Sequence, residues 1–316
     1  MVDQTGRDSA AGTRPRIDIE ALNIFLESLG SFHADLIFGL KPNQSVYHYT
    51  NLGGLYGILS KNDLWLTHAR YSNDEEEMTH GYRTAQDVLT ELRPIAQQDP
   101  DRTAYLTLLV DLLKKPTKEG VYICCFCLKD NLLSQWRGYG ANGTGVSIQL
   151  NSRDFANVAG PDSPFQSQGG LMRLWKVNYD PIRQRDIVRK AIDFAFENLK
   201  YLSVQERAQR AADAIEFFVP TFKNGDFAEE EECRLIFSPP HPCPLPLSFR
   251  VARGMLVPYY SLRELAKNPQ WRLPITGLRI GPTAHKGPNK ESAELLLTLA
   301  GYTLSVDLSD TPYRGG

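Results

Sequence analysis

The sequence predicts an α+β fold with a mixed β-sheet, flanking helices and a helical insertion at about 181–222. Three observations lead to this fold class. Helical and strand-like segments follow one another without regular alternation, which favours α+β over a doubly wound sheet. The run 121–128 is continuously apolar and β-like, as expected of a buried strand. Two helical patterns, at 183–200 and 204–218, follow each other directly, which predicts the insertion.

The N-terminal half is expected to contain short strands between helices. Residues 1–16 are polar and rich in small side chains, which predicts a disordered tail before a single domain at 17–316. The expected elements are a helix at 17–37, strands at 45–49 and 64–67, and a helix at 52–59 capped by Thr50 or Asn51. A long helix is expected to begin at Asn73 or Asp74 and to end near Pro94, and another covers 105–113.

The C-terminal half continues the mixture. A short helix at 132–137 and a strand at 145–150 follow the apolar strand, and 152–170 is expected to be a loop. A strand at 171–179 precedes the two helices, and a charged strand beginning near Glu230 follows them. The expected remainder is a proline-rich loop at 239–246, a strand near Leu278, a helix at 290–300 and a strand at 302–306.

Composition excludes several classes of protein. The formal net charge of −2 gives no global basic field of the kind that suits nucleic acid, although a local basic patch is compatible with it. No apolar run is long enough to span a bilayer, and the first residues lack the apolar core of a secretory signal. We therefore expect no membrane partner. The five cysteines are odd in number and three lie close together, which favours the reducing environment of the cytoplasm.

The most informative segment is the acidic run that becomes apolar after residue 232. If it is a strand, alternation places Glu230, Glu232 and Arg234 on one face and an apolar row on the other. An acidic pair beside an arginine on an anchored strand is typical of a catalytic carboxylate. A charged edge strand facing water is the alternative, and the sequence leaves both open.

Two further segments carry side chains suited to a ligand. His48 lies at the end of a strand that leads into a helix, where an imidazole and free backbone N–H groups can meet a ligand. Ser134, Trp136 and Tyr139 combine a hydroxyl with two aromatic rings near glycines, which suits a planar ligand such as a nicotinamide or a base. Packed core residues are the alternative in both cases.

Metal binding is weakly indicated. Asp74 and Glu77 could share a helix face, although Asn73 and Asp74 also suit a simple helix cap. The spacing of Cys125 and Cys127 does not match a zinc site and no second pair of ligands is evident, so we expect buried cysteines and no metal.

Taken in order, these pieces resemble a bacterial family catalogued as domain of unknown function 2971. The resemblance runs from about residue 45 to the end, and the family more often has Trp where this chain has Cys233. The matching positions are Tyr47-His48-Tyr49-Thr50, Leu55, Ile58-Leu59, Leu64-Trp65-Leu66, Asn73-Asp74, Glu77, Cys125-Phe126-Cys127, Trp136, Tyr139, Gly145-Val146, Phe227, Glu230, Glu232, Arg234, Ile280-Gly281-Pro282 and Pro312-Tyr313-Arg314.

That family is similar, more distantly, to the ADP-ribosyltransferase fold, which implies a split mixed β-sheet and NAD as substrate. By this resemblance His48 would hold a ribose hydroxyl, and Glu232, or else Glu230, would support the oxocarbenium-like state as nicotinamide leaves. A tyrosine would stack on nicotinamide, with Trp136 as the alternative. The other residues that the resemblance places around NAD are Tyr49, Thr50, Asn73, Asp74, Tyr122, Ser134, Tyr139 and Arg234.

Three functions follow as expectations. The first is an NAD-dependent ADP-ribosyltransferase, a bacterial toxin or anti-phage defence effector that modifies nucleic acid or protein and works with a partner protein of a defence or toxin–antitoxin system. The second is a metal-dependent hydrolase or nuclease using Asp74, Glu77, Glu230 and Glu232. The third is a catalytically inactive nucleotide-binding module. The first requires His48 and Glu232 to meet in one cleft.

Overall fold

The computed structural model describes residues 19–28, 40, 43–71, 76–114, 120–153, 165, 170–240 and 243–313. The predicted tail at 1–16, the helix of 17–37 beyond residue 28, and most of the loop at 152–170 lie outside the described residues. The helices are α1 Ile19–Ser28, α2 Leu52–Lys61, α3 Glu76–Ala96, α4 Pro100–Leu113, α5 Leu133–Gly138, α6 Pro181–Asn198, α7 Val204–Phe218, α8 Leu262–Leu265 and α9 Lys286–Leu299.

Ten strands of the described residues form one mixed sheet, which confirms the predicted α+β class. They are β1 Ser45–Thr50, β2 Trp65–His68, β3 Tyr122–Cys127, β4 Val146–Asn151, β5 Leu171–Lys176, β6 Glu232–Ser238, β7 Ser248–Ala252, β8 Met255–Ser261, β9 Ile275–Ile280 and β10 Val306–Leu308. The main order is β10-β9-β4-β1-β3-β2-β8-β7, and β6 pairs with both β3 and β5. The β9–β10 pair is parallel, and the other strand pairs are antiparallel.

The sheet branches at β3. β6 pairs with β3 along the whole of its length, from Tyr122 to Cys127, and therefore occupies one edge. β2 meets β3 at Tyr122 and Ile123, whereas β1 meets it only at Cys127. Both strands must then share the other edge of β3, one at each end. β1 and β2 consequently diverge, and an opening is left beside the C-terminal half of β3.

Two apolar cores cover the two faces of the sheet. Ile123 and Ile236 face a core formed mainly by α3, α4, α6 and α7. Cys233, Leu235 and Phe237 face the opposite core, together with residues of α2 and α9. The predicted alternation along β6 is therefore correct from Glu232 onward, because Glu232, Arg234 and Ile236 lie on the helical face.

Along the chain, α6 and α7 come between β5 and β6, and these two strands pair directly with each other in the sheet. Both helices begin with side-chain caps, Asp180 for α6 and a Ser203–Glu206 capping box for α7. Two buried strand arginines bind the end of α7 and the 3₁₀ helix Val219–Thr221 that follows it: Arg173 Nη2 donates to Phe217 O at 2.7 Å, and Arg234 Nη1 donates to Pro220 O at 2.8 Å. The negative end of a helix favours such cations.

The structure corrects several predicted boundaries. α3 continues through Pro94 to Ala96, and α4 begins earlier than expected, at Pro100, with Asp99 as its cap. The predicted strand at 302–306 lies instead at Val306–Leu308. The hairpin of β7 and β8 was not predicted; its turn consists of Arg253 and Gly254, both with positive φ. Among the described residues, no helix is long and apolar enough to cross a membrane.

Candidate functional site

The opening beside β3 forms a small cleft with a volume of about 70 Å³. It lies where β1 and β3 part, beyond their single pairing at Tyr47 and Cys127. Residues of β1, β3, β6, α5 and the turn before β6 line it: Tyr47, His48, Tyr49, Cys125, Phe126, Cys127, Gln135, Tyr139, Glu230 and Glu232. The cleft therefore brings together His48 and both candidate glutamates.

His48 is fixed by the backbone of β3. Its Nδ1 lies 3.0 Å from the carbonyl oxygen of Cys125. Because a carbonyl only accepts hydrogen bonds, Nδ1 carries the proton and Nε2 is left as an acceptor. Burial lowers the pKa of His48, although the hydrogen bond to Cys125 opposes this, so the ring is neutral at pH 7. A neutral imidazole with an acceptor nitrogen suits a hydroxyl donor.

Glu230 and Glu232, which line the cleft, are bound by two buried cations. Lys223 Nζ lies 2.5 Å from Glu230 Oε2 and 3.2 Å from Glu232 Oε2. Arg234 binds Glu232 in a bidentate manner, with Nε at 2.7 Å from Oε1 and Nη2 at 2.8 Å from Oε2. We call these four side chains the carboxylate clamp. Two cations balance two carboxylates, as burial of charge requires.

The two carboxylates differ in exposure and in their bonds. The side chain of Glu232 is 7% exposed, and both of its oxygens accept hydrogen bonds from Arg234 or Lys223. Burial by itself would raise the pKa of Glu232, but Arg234 and Lys223 override it and lower that pKa to about 2. The side chain of Glu230 is 18% exposed and lies nearer to the mouth of the cleft.

The backbone that carries Glu230 is not the predicted strand. The sequence pattern placed Glu230 on the same strand face as Glu232, but β6 begins only at Glu232. Glu230 ends a 3₁₀ helix, Gly225–Glu230, and Glu231 is in the left-handed region with φ of 45°. The left-handed residue interrupts the strand alternation, so the prediction of a strand at Glu230 is wrong. The two carboxylates meet instead through Lys223.

Tyr139 is the aromatic side chain at the mouth of the cleft. It follows the last residue of α5 and is 36% exposed. Burial of its hydroxyl end raises its pKa, and the nearby Glu230 adds to this, so the phenol stays protonated. Trp136, in contrast, is fully buried against Tyr49, and its indole N–H donates to Asn131 Oδ1 at 3.0 Å. The indole is therefore part of the core and not of the cleft wall.

Other predicted site residues lie away from the cleft. Tyr122 is at the opposite end of β3, where it packs edge-on against Tyr260 on the other face of the sheet. Thr50 pairs with Val146 at the end of β1, and Ser134 is on α5; neither lines the cleft. Asn73 and Asp74 lie outside the described residues.

Three residues of the site were not predicted from the sequence. Lys223 is 2% exposed, and its carbonyl accepts a hydrogen bond from Gln184 Nε2 at 2.8 Å. The hydroxyl of Tyr179 accepts a hydrogen bond from the backbone N–H of Glu232 at 3.0 Å. Gln135 Nε2 lies 3.5 Å from the carbonyl of Glu230. For Lys223, the sequence offered only its position between two aromatic residues, Phe222 and Phe227, and this pattern does not distinguish a site residue from an ordinary surface lysine.

A metal site is not evident in the described part of the chain, where no group of three His, Cys, Asp or Glu side chains could hold an ion. The ammonium of Lys223 binds both Glu230 and Glu232 and takes the position that a metal cation would have between two carboxylates. Cys125 and Cys127 line the cleft as thiols that form no disulfide among the described residues, and burial raises the pKa of Cys127 to about 11.

The fold and the cleft define an α+β protein whose branched sheet holds two clamped carboxylates opposite a histidine. Comparison with family models adds a match over residues 135–235 to a family described as Protein of unknown function (DUF2971). This confirms the predicted resemblance to that family over a segment that runs from α5 into β6. No curated protein and no solved structure matches the chain.

Proposed function

We propose that the protein is an NAD-consuming enzyme that transfers ADP-ribose to a macromolecule. The observation that supports this proposal is the convergence of His48, Tyr139, Glu230 and Glu232 on one cleft. These are the three chemical types that the reaction uses: an acceptor for a ribose hydroxyl, an aromatic ring for nicotinamide, and a carboxylate for the developing positive charge.

His48 and Tyr139 would bind the reacting end of NAD. Nε2 of His48 can accept a hydrogen bond from a ribose hydroxyl, because Nδ1 is committed to the Cys125 carbonyl. Tyr139 can place its exposed ring against nicotinamide at the mouth. Pockets that enclose a small molecule usually have about 300–1,000 Å³. A cleft of about 70 Å³ accepts at most one ring, so the rest of NAD would lie outside it.

Glu230 is the better candidate for the reacting carboxylate. Glu232 is held on both oxygens by buried cations, which suits a positioning residue. Glu230 is more exposed and is bound by the same ammonium through Oε2. In the proposed reaction the bond between nicotinamide and ribose breaks and nicotinamide leaves with the electron pair. An acceptor oxygen or nitrogen then bonds to the anomeric carbon, and its proton passes to Glu230.

The acceptor in this proposal is nucleic acid or protein, in keeping with a toxin or anti-phage effector. The second hypothesis, a metal-dependent hydrolase, has less support because the ammonium of Lys223 lies between the two glutamates, where a metal ion would have to bind. The third, an inactive nucleotide-binding module, is favoured by one observation: the carboxylate of Glu232 is already fully bonded.

The test is release of nicotinamide from NAD by the purified chain, with bulk RNA, DNA and cell lysate supplied as acceptors. We expect Glu230→Gln to lower the rate by about 100-fold or more, as loss of one transition-state contact does. Glu231→Gln is the matched control, because Glu231 is the next glutamate but pairs with Lys129 outside the cleft. Its rate should equal that of the unmodified chain.

Two outcomes would overturn the proposal. If folded protein releases no nicotinamide with any acceptor yet binds NAD, the binding-module hypothesis replaces it. If Glu230→Gln and Glu231→Gln have equal rates, the reacting carboxylate is elsewhere.

A further inference from the structure

A second polar surface lies on the branch of the sheet formed by β2, β8 and β7. Register places Trp65 and Thr67 of β2, Tyr259 of β8 and Arg250 of β7 on one face. Each of these four side chains is half-buried. We call them, together with Lys61 of α2, the Trp65 surface.

Aromatic rings and cations alternate on this surface. The rings of Trp65 and Tyr259 have centroids 4.5 Å apart and an interplanar angle of 31°. The guanidinium of Arg250 lies 5.3 Å from the centre of the Trp65 ring, and Lys61 Nζ lies 5.8 Å from it. The two rings are therefore stacked with a tilt, and the cations lie over the Trp65 ring. Stacks of aromatic rings and cations of this kind are ones to which nucleic-acid bases add.

The charge around this surface has the opposite sign to that of the whole chain. Segments 61–71 and 248–267 contain six Lys or Arg residues and two acids, whereas the chain has a formal net charge of −2. One of the two acids, Asp63, is turned inward and is 8% exposed, bound to the Trp65 indole and to the Arg263 backbone. The exposed charge of these segments is therefore strongly positive.

The cations of the surface are Lys61 and Arg250. Neither forms an ion pair with an acid among the residues that the structure describes. Arg250 Nη2 donates to Thr67 Oγ1 at 3.3 Å, but its Nε is shielded from solvent and lacks an acceptor in that same part of the chain. The half-buried guanidinium of Arg250 still reaches the surface beside an aromatic pair, which suits a phosphate group.

We infer that the Trp65 surface binds single-stranded nucleic acid, with bases on the Trp65–Tyr259 pair and phosphates on Arg250 and Lys61. An acidic protein segment would use the cations but would have no need of the paired rings. The inference does not depend on the proposed NAD chemistry, because binding is measurable without turnover.

Thr67 of the surface and Cys127 of the cleft lie on the same face of the sheet. Thr67 pairs with Ile123, and Cys127 is four residues further along β3 on the same side, where it pairs with Glu232. At about 3.3 Å per residue the two sites are separated by roughly 13 Å along β3.

The test measures binding of fluorescein-labelled U and dT oligonucleotides of about 15 nucleotides to the whole chain, a length that spans one such groove. We expect binding that weakens steeply with salt and is lost for the matching duplex. Trp65→Leu should weaken it by about 5- to 150-fold, the usual range for one stacked base. Arg250→Gln should reduce the salt slope by about one phosphate contact.

Tyr201→Ala and Lys200→Gln supply matched controls, because both residues are exposed on the α6–α7 connection, and binding should not change. The Arg250→Gln variant keeps the test decisive if Trp65→Leu fails to fold. Absence of binding at low salt, equal binding of duplex, or equal competition by polyglutamate would each overturn the inference. Unchanged binding in both Trp65→Leu and Arg250→Gln would do so as well.

Discussion

The ammonium group of Lys223 joins two glutamates that belong to different backbone segments. Glu230 ends the 3₁₀ helix, and Glu232 begins β6. Because Glu231 between them is in the left-handed region, their side chains can turn toward one cation from both sides. The position of Lys223 therefore decides whether the two carboxylates can be buried together.

We expect Lys223→Met to lower the free energy of unfolding by about 3–5 kcal/mol, the usual loss when one partner of a buried ion pair is removed. The reason is that Glu230 and Glu232 would keep their charges without the shared ammonium. Urea denaturation at neutral pH measures this. Lys190→Met is the control, since its pair with Asp186 is largely exposed and should contribute less than about 1 kcal/mol.

The acidity of Glu232 leads to a pH prediction. Its pKa is lower in the folded chain than in the unfolded chain, so its stabilising contribution is complete above about pH 5 and is lost as the pH falls toward 2. The difference corresponds to about 3 kcal/mol. Unfolding experiments at several pH values should show a steeper acid decline for the unmodified chain than for Glu232→Gln. Parallel declines would contradict this assignment.

The sequence named His48 and Glu232 as candidates because each belongs to a local pattern, a strand end or a strand alternation, and both line the cleft. It could not find Lys223, which enters the site through the chain reversal after α7, where Phe222 bridges to Asn178. It also placed Glu230 by alternation, and no local rule predicted left-handed backbone at a glutamate. Residues brought together by tertiary contacts are beyond such patterns.

At the scale of elements, the short helix α5 is held by the C-terminal segment. Asn131 Oδ1 accepts hydrogen bonds from the Trp136 indole at 3.0 Å, from the Thr311 hydroxyl at 2.9 Å and from the Ser309 hydroxyl. Its Nδ2 donates to Asp310 at 2.5 Å. One asparagine thus fixes the orientation of the helix that leads to Tyr139.

We expect Asn131→Ala to cost about 1–3 kcal/mol of stability through the unpaired indole N–H, and about 1 kcal/mol more because Asn131 has φ of 65°. Asn131→Gly separates the two effects, since glycine tolerates that backbone. Chemical denaturation followed by tryptophan fluorescence gives both values. An equal loss in the two variants would mean that the backbone contributes nothing.

The hairpin of β7 and β8 shows why one element was missed. Pro258 lies within β8, and a proline inside an apolar run argues against an interior strand. Alternation of Phe249 and Val251, followed by Arg253-Gly254, was a usable hairpin signal, because two-residue turns with positive φ end in glycine. The sequences of α6 and α7, in contrast, showed long runs of helical periodicity with clear capping residues, and both predicted helices are present.

At the scale of the molecule, β7 is the last strand of the sheet and presents an apolar face. Val251 is 80% exposed, Leu256 opposite it is 61% exposed, and Phe249 is 54% exposed. An exposed apolar strand at a sheet edge favours association between copies of the chain.

We expect Val251→Lys to reduce self-association at high protein concentration, measured by light scattering, and to change stability by less than about 0.5 kcal/mol. Val257→Lys is the contrasting variant on the partner strand. Val257 is 2% exposed, so a charge there should unfold the hairpin. Unchanged scattering for Val251→Lys would show that this edge does not associate.

The insertion of α6 and α7 between β5 and β6 has a consequence for the order of folding. The chain must close a long loop before Lys176 can meet Cys233, and such closure is entropically unfavourable. Contacts within the two helices are local and form early. Once α6 and α7 have packed against each other, the ends of the loop are close together. The strand that begins with Glu232 then pairs late, so the carboxylate clamp is among the last parts of the molecule to assemble.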